Sequence, residues 1–441
     1  MRIKFFLKML DYLLLACVII LISIGIAFIY SSGINSDGVL TTNEYIKQII
    51  WASFGVVLMV LVALYDYRRT ERYVNIFYYV LLAVLIYTRL FGRYVNGARS
   101  WIGIGAFGIQ PSEFGKVIFI MCLSKYLANS TNEVPFKRFV KAGVIFAVPT
   151  LLVLAQPDLG TASVYIPIFL VVCFMADIPL RYIFFVLFVG LGTVFLTVLP
   201  IWNVVIAKQS IAAISTLANN IQLRLLLTLT ALLIMLIAVI TRRYFHGQKY
   251  FYWIAYYMLI VTFSLVLSYG AGKVLKDYQI SRLIVFLDPS TDPHGAGWNI
   301  IQSKIAIGAG GVTGRSFLHG TQSHYRFLPQ QSTDFIFSIL AEEIGFLGGL
   351  FVFILYGIIF LRMLRSIRNA TGYGCYIASG ILGMFFFHFF INIGMVIGIM
   401  PITGIPLLFL SYGGSSLWTA MLCIGILMSI NAHKYGYGLG E

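Results

Sequence analysis

The chain has 441 residues, 60% of them hydrophobic and only 11% charged, with a mean hydropathy of +0.90. A soluble domain carries roughly 25% charged residues, so this composition excludes one and predicts an all-α, polytopic integral membrane protein. The net charge of +15 fits membrane topology, anionic lipid headgroups or a polyanionic substrate such as a lipid diphosphate; with no basic stripe on a soluble domain, it argues against nucleic acid as a partner.

The basic start MRIKFFLKML resembles a signal peptide, but the apolar core after it runs close to the ~20 residues that span a bilayer. Without a small-x-small cleavage site, it reads as a retained first transmembrane helix. Apolar runs follow near 47–65, 74–91, 110–127, 140–156, 161–177, 181–200, 222–240, 251–270, 335–361, 375–397 and 409–430. With the first, near 12–30, they predict about twelve transmembrane helices in a single membrane domain, 1–441. Polar residues interrupt the runs near 110 and 161. Cys17, Cys122, Cys173, Cys375 and Cys423 all fall inside apolar runs, without CxxC or metal-ligand spacing, and read as free thiols.

Alternation from a cytoplasmic N-terminus puts Arg68, Arg69, Arg72, Lys137, Arg138, Lys141, Arg242, Arg243, Arg362, Arg365 and Arg368 inside, as the positive-inside rule requires. The same alternation leaves Arg93, Arg99, Lys273, Lys276, Arg282, Lys304, Arg315 and Arg326 outside, free to serve a function. The longest non-spanning stretch, 271–334, reads as a large outer loop within the domain. It is glycine-rich but has no P-loop or dinucleotide fingerprint, and its apolar IIQSKIAIGA argues against disorder. No tandem repeat is visible.

Four places carry chemistry. In QPSEFGK, Pro111 and Ser112 read as a helix start, and Glu113 and Lys116 fall on one face, either as a plain ion pair or as a cation for an anionic headgroup with Glu113 positioning it. In AQPDLGTA, Asp158 is placed to cap a helix after a proline break. In LPQQSTDFIFSILAEEIG, Asp334, Glu342 and Glu343 put three carboxylates into ten residues, each costing at least ~2.5 kcal/mol if ionised in a bilayer. Asp334 reads either as a general base at the mouth of a cavity or as the N-cap of a helix starting at Phe335. On a regular helix from Asp334, Glu342 would border the same cavity ~12 Å deeper, with Glu343 pointing away. Finally, 391–420 packs small residues and prolines into two helices and a turn, for cavity lining or for close helix packing.

The segments NGARSWIGIG, QPSEFGK, QPDLGTA, LDPSTDPHGAGWNIIQSKIAIGAGG, LPQQSTDFIFSILAEEIG and GIMPITGIPLLFLSYGGSS, in this order, closely resemble the SEDS (shape, elongation, division and sporulation) family of bacterial cell-wall proteins. HGTQSHYRFLPQQSTDFIF and NIGMVIGIMPITGIP are more similar to the elongation-specific branch than to the division-specific one. The resemblance implies a peptidoglycan glycosyltransferase that polymerises lipid II on the outer face of the bacterial cytoplasmic membrane, with both termini cytoplasmic. It implies a class B penicillin-binding protein as crosslinking partner, beside other membrane proteins of the elongation machinery. It implies Asp334, in the TDFIF motif, as the catalytic residue. Two departures stand out. Gln330, Gln331 and Ser332 occupy positions where such proteins usually carry a histidine and charged residues. The runs near 222–240 and 251–270 add two helices to a family core of ten.

Lipid II polymerisation is an inverting displacement with a diphosphate leaving group, so one carboxylate base plus cations is the chemical minimum. Asp334 is the expected base. Lys116 and Arg99 are the leading diphosphate ligands, with Glu113, Trp101 and Arg326 as further substrate-binding candidates and Glu342 and Asp158 as secondary ones. A divalent cation such as Mg2+ or Mn2+ could share the charge, although no dedicated metal-ligand cluster is visible. The competing readings are a lipid II flippase, a scaffold for the penicillin-binding protein, and the division-specific polymerase.

Overall fold

A computed structural model describes residues 11–433 apart from 96, 105–106, 206–219, 245–247, 275–276, 292–294 and 329. The basic N-terminal start and Lys276 lie outside the described residues. The protein is helical, and the predicted runs become α1 (Tyr12–Ser32), α2 (Glu44–Leu64), α3 (Val74–Phe91), α4 (Pro111–Asn129), α5 (Pro135–Ala155), α6 (Leu159–Met175), α7 (Leu180–Val205), α8 (Ile221–Tyr244) and α9 (Tyr250–Val274). After the shorter α10 (Asp277–Leu287) and α11 (Ala296–Gly310) come α12 (Ile336–Asn369), α13 (Tyr373–Val396) and α14 (Gly414–Ala432).

Ten of these, among the described residues, are long and apolar enough to cross a membrane. The other two predicted spans are helices outside that ten: α4 carries Glu113, Lys116 and Lys125, and α6 has 17 residues. The stretch 271–334 is not an open loop. It contains the end of α9, all of α10 and α11, and a helical turn at Thr321–His324. The sequence also did not announce a three-stranded antiparallel sheet between α3 and α4: β1 (Arg93–Val95), β2 (Ala98–Ile104) and β3 (Phe107–Ile109), with Arg93 opposite Trp101 and Ile102 opposite Ile109.

The chain forms two compact units, one of residues 179–301 and one of residues 1–178 with 302–441. In the smaller, α9 packs on α7 and α8, with Phe185 edge-on to Phe263 and Tyr256 donating to the Arg181 carbonyl at 2.7 Å. The larger holds every candidate residue. There α14 crosses α2 closely, since a Cβ at Gly425 would stand 2.6 Å from the Met59 carbonyl oxygen, and Trp418 donates to the Trp51 carbonyl at 2.9 Å. Small residues bring helices together where no hydrophobic difference between lipid and side chain can drive them. Arg138, nearly buried, donates to the carbonyls of Leu127 and Ala176 and so ties the C-terminal ends of α4 and α6, where the helix dipole favours a cation.

Two stretches of irregular backbone are built into this unit. The helix α12 breaks at Gly345 (φ 67°, ψ −163°), and the broken end pairs with the segment after α11: Phe346 N–H donates to the Gly311 carbonyl at 2.9 Å, Leu347 N–H to Val312 at 3.1 Å, and Arg315 N–H to Glu342 at 3.0 Å. The second stretch, 397–413, separates α13 from α14; the run predicted from 409 becomes helical only at Gly414.

Gly345 should therefore not tolerate a side chain. Its φ is left-handed, and a Cβ would strike the Gly314 nitrogen and the Val312 carbonyl. Gly345→Ala is expected to lower stability by about 1–3 kcal/mol, whereas Gly357→Ala in the same helix, where a Cβ meets nothing within 4 Å, should be neutral or stabilising. Thermal unfolding of the two variants in one detergent checks the contrast.

Candidate active site

The three carboxylates of LPQQSTDFIFSILAEEIG fall into two kinds. Helix α12 starts at Ile336, with Phe335 at the N-cap and no side-chain cap bond, so Asp334 is not the cap of a helix from Phe335. It lies instead in a turn, partly exposed, and the regular helix from Asp334 that set Glu342 at the border of the same cavity does not apply. That turn is fixed by its backbone and its neighbours. Asp334 N–H donates to the Gln330 carbonyl at 3.1 Å, Tyr412 N–H to Ser332 at 2.9 Å, and the Asn392 amide to the Asp334 carbonyl at 3.0 Å. Gln331, at one of the positions that depart from the family pattern, donates to the Ser32 carbonyl at the end of α1 at 2.7 Å.

Glu342 and Glu343 are both fully buried and face the polypeptide that precedes Asp334. Glu342 Oε1 accepts from Thr321 N–H at 2.7 Å, Gln322 N–H at 2.9 Å and the Thr321 hydroxyl at 3.0 Å, collecting orphan donors at the start of the 321–324 turn. Glu343 accepts from Leu318 N–H at 3.0 Å and from the Ser31 hydroxyl on α1, the helix neighbour that the sequence left unidentified. Both are anchors for the 311–328 segment. Gly320 makes this possible, because a Cβ there would stand 3.0 Å from Glu342 Oε2 and 3.2 Å from Glu343 Cγ.

Glu113 and Lys116 do form the predicted pair, at 2.8 Å, and both are buried, Lys116 to 1% exposure. Sequence reasoning missed a third member. His388 of α13 places Nε2 3.2 Å from Lys116 Nζ, while its Nδ1 lies 3.0 Å from the Pro406 carbonyl oxygen. A carbonyl only accepts, so Nδ1 carries the proton and Nε2 offers a lone pair to the ammonium. The signal was available: a histidine and an asparagine in the otherwise apolar FFFHFFIN are polar groups at membrane depth.

Asp158 caps α6 as predicted, accepting from Thr161 N–H at 3.0 Å, and its other oxygen accepts from Gln110 at 2.7 Å. Burial pushes its carboxyl upward, opposed by the Thr161 hydrogen bonds. Gln110 N–H also donates to the Ser415 hydroxyl at 3.0 Å, so the exit of the small sheet docks on the start of α14, three residues beyond the Tyr412 that holds the Asp334 turn. On that sheet Arg99 is exposed, and the half-buried ring of Trp101 lies against Gly108. Arg326 is exposed, with its guanidinium on the Thr41 hydroxyl. Beside the sheet lies an apolar cavity of about 510 Å3, bordered by Trp51, Ile102, Ile109, Phe114 and Trp418, with the Ser415 hydroxyl at its edge. Trp51 also packs on Tyr412, ring centroids 5.1 Å apart. Among the described residues no three His, Cys, Asp or Glu side chains gather as metal ligands.

The model of the FtsW/RodA/SpoVE family of cell cycle proteins matches residues 11–225 and 201–436. The peptidoglycan glycosyltransferase RodA of Treponema pallidum is 55% identical over 425 residues, 96% of this chain and 98% of that one. The peptidoglycan glycosyltransferase MrdB of Escherichia coli K12 is 33% identical over 389 residues, 88% of this chain and 85% of its own. Stage V sporulation protein E of Bacillus subtilis is 32% identical over 435 residues. Among solved structures, a chain of a peptidoglycan synthase complex aligns with a TM-score of 0.66 at 24% identity, and RodA of Thermus thermophilus with 0.59 at 21%, each covering 97% of this chain and 98% of the other. These two share the fold.

Removing the Glu342 carboxylate would strand two part-buried N–H groups. Glu342→Ala should cost about 2–6 kcal/mol, at roughly 1–3 kcal/mol per orphaned donor, and should speed amide hydrogen exchange at Thr321 and Gln322. Exchange unchanged at those two amides would show that the anchor is not made.

Proposed function

We infer the function of this chain from its family: it belongs to the FtsW/RodA/SpoVE proteins, and it is a multi-pass membrane peptidoglycan glycosyltransferase of the elongation type. The 55% identity to the Treponema protein along nearly its whole length carries that reading. The substrate we propose is lipid II, and the residue that does the chemistry is Asp334.

In the proposed step the acceptor sugar's hydroxyl oxygen attacks the anomeric carbon of the donor. The bond from that carbon to the diphosphate breaks, its electron pair leaves with undecaprenyl diphosphate, and configuration inverts. Asp334 takes the hydroxyl proton as general base. Its support is geometric: Glu342, Glu343 and Asp158 accept backbone N–H groups, while Asp334 is partly exposed in a turn held by backbone bonds. The leaving diphosphate needs cations rather than a proton. Arg99 and Arg326 are exposed and suited to reach it, with Trp101 beside Arg99; Lys116, buried on Glu113, acts from beneath. The residues fit a divalent cation only as Mg2+ is often held, by a single carboxylate and the substrate's phosphates, and Asp334 would supply that carboxylate. The apolar cavity beside the sheet suits a prenyl chain entering from the lipid.

We place the chain in the bacterial cytoplasmic membrane, with both termini cytoplasmic and Asp334 outward. The hydrogen bonds support this alternation. Segments expected outside bond one another, as Thr41 with Arg326, Gln110 with Asp158 and Ser415, and Ser332 with Tyr412. Segments expected inside do the same, as Arg362 with Asp11, Arg68 with the His433 carbonyl, and Arg138 with the Ala176 carbonyl. New strands become wall only when crosslinked, and a class B penicillin-binding protein, with other elongation-machinery membrane proteins, is the proposed partner.

With lipid II supplied to the detergent-solubilised protein and its partner, glycan strands should form, and Asp334→Asn should slow them by about 100- to 10,000-fold at unchanged thermal stability. Strands from wild type but equally from Asp334→Asn would remove Asp334 as base. No strands from wild type would return the flippase and scaffold readings, since no membrane remains to be crossed.

A further inference from the structure

The buried ion pair on α4 and the turn that carries Asp334 come from distant parts of the sequence, and one face of α13 touches both. His388 and Asn392 are one helical turn apart, ~6 Å along the axis. Asn392 is fully buried, and its amide nitrogen sends one hydrogen to the Asp334 carbonyl at 3.0 Å and the other to the Ile405 carbonyl at 2.8 Å. His388, also buried, donates Nδ1–H to the next carbonyl, Pro406, and accepts from Lys116 through Nε2. Two consecutive carbonyls of the irregular 397–413 stretch are thus the rail on which both side chains rest.

We propose that His388 and Asn392 are positioning residues that hold the Asp334 turn and the Lys116–Glu113 pair in one fixed relation. The reading rests on Asp334 as the base. Neither residue touches substrate. Asn392 acts through the Asp334 backbone, and His388 acts through the Lys116 ammonium. The donor count makes the geometry specific: Asn392 spends both amide hydrogens on carbonyls, while its Oδ1 has no hydrogen-bond partner among the described residues. Its donors, not its acceptor, are what the site uses. Asn392→Asp keeps the shape and turns two attractions into two repulsions.

At His388 two substitutions separate the bonds. Glutamine places an acceptor near the position of Nε2 and can still receive Lys116, whereas asparagine places a donor near Nδ1 and keeps only Pro406. Misplacing reacting groups by about 1 Å costs up to about 100-fold in rate. Asn392→Asp is therefore expected to lower kcat for lipid II polymerisation by about 10- to 100-fold with little change in KM, and to speed amide exchange over 332–336. His388→Gln should retain several-fold more activity than His388→Asn at equal thermal stability. In a Glu113→Gln/Lys116→Met background, which removes both charges together, that difference should vanish, because residues acting through one another are not additive.

Unchanged exchange over 332–336 in Asn392→Asp overturns the tie to Asp334. Faster exchange with unchanged kcat makes the tie structural only and overturns the positioning role. Equal activity of the two His388 variants, or a difference that persists without the ion pair, overturns the Lys116 link. Retained polymerisation by Asp334→Asn is a separate outcome, which removes the base assignment itself.

Discussion

A bilayer offers no water to a backbone N–H or C=O, so every departure from helix at membrane depth needs a protein partner, and several of this protein's buried polar side chains meet that demand. Within the stretch 397–413 residues 407–411 are buried, as is Ile405, and four carbonyls of this part are met by side chains from three different helices: Ile405 by Asn392, Pro406 by His388, Leu408 by Tyr356 and Ser411 by Gln48. The segment before Asp334 is met by Glu342, Glu343 and the opened end of α12. An all-helical chain would need none of these groups. It would also have no turn on which to present a carboxylate to water at the rim of the bundle.

The same constraint sorts the charges. A carboxylate that accepts donors from a neighbouring segment is held in place by them, which is the condition of Glu342, on two backbone N–H groups, of Glu343, on Leu318 N–H and the Ser31 hydroxyl, and of Asp158, on Thr161 N–H and the Gln110 amide. The Glu113–Lys116 pair is of another kind. Breaking such a buried pair is costly, but replacing both members by apolar residues is often neutral, so the pair is weak grounds for stability. Its attachment to His388, and through the 405–406 carbonyls to Asn392, gives it a place in the site that stability alone does not require. Arg138 shows the contrast: it too is buried, but it spends its donors on helix C-terminal carbonyls and the Ser130 hydroxyl, away from any candidate residue.

Much of the scaffold was legible because hydropathy is a local property. Each predicted apolar run near 12–30 through 375–397 has its helix, the Glu113–Lys116 pair was readable from i,i+3 spacing, and the Asp158 cap from its place after a proline. What escaped was set by contacts remote in sequence. Ser31 meets Glu343 across 312 residues, and nothing around either predicts the other. The break at Gly345 was hidden because LAEEIGFLGG is apolar enough to read as continuous helix, and only the Gly311–Arg315 backbone reveals why it opens. The helices inside 271–334 were missed for the opposite reason. Glycines there suggested a loop, whereas several of them permit close approach to α12.

The glycines explain why the loop and the helix must be read together. At Gly310 and Gly314 a side chain would collide with the carbonyls of Ala341 and Glu343, so GAGGVTG and LAEEIG are two halves of one packed object. A glutamate in LAEEIG is unintelligible while that segment is treated as a lone membrane helix, because the cost of burying it has no visible compensation. Seated against GAGGVTG and the 316–322 segment, Glu342 becomes the acceptor for the N–H groups of Thr321 and Gln322. Nearer Asp334, Gln331 is tied to α1 through the Ser32 carbonyl. A carboxylate on a flexible outer loop would sample many positions over a sugar hydroxyl. The Asp334 turn is instead tied at its carbonyl to Asn392, and the base proposed for a single displacement is one whose backbone is held in place.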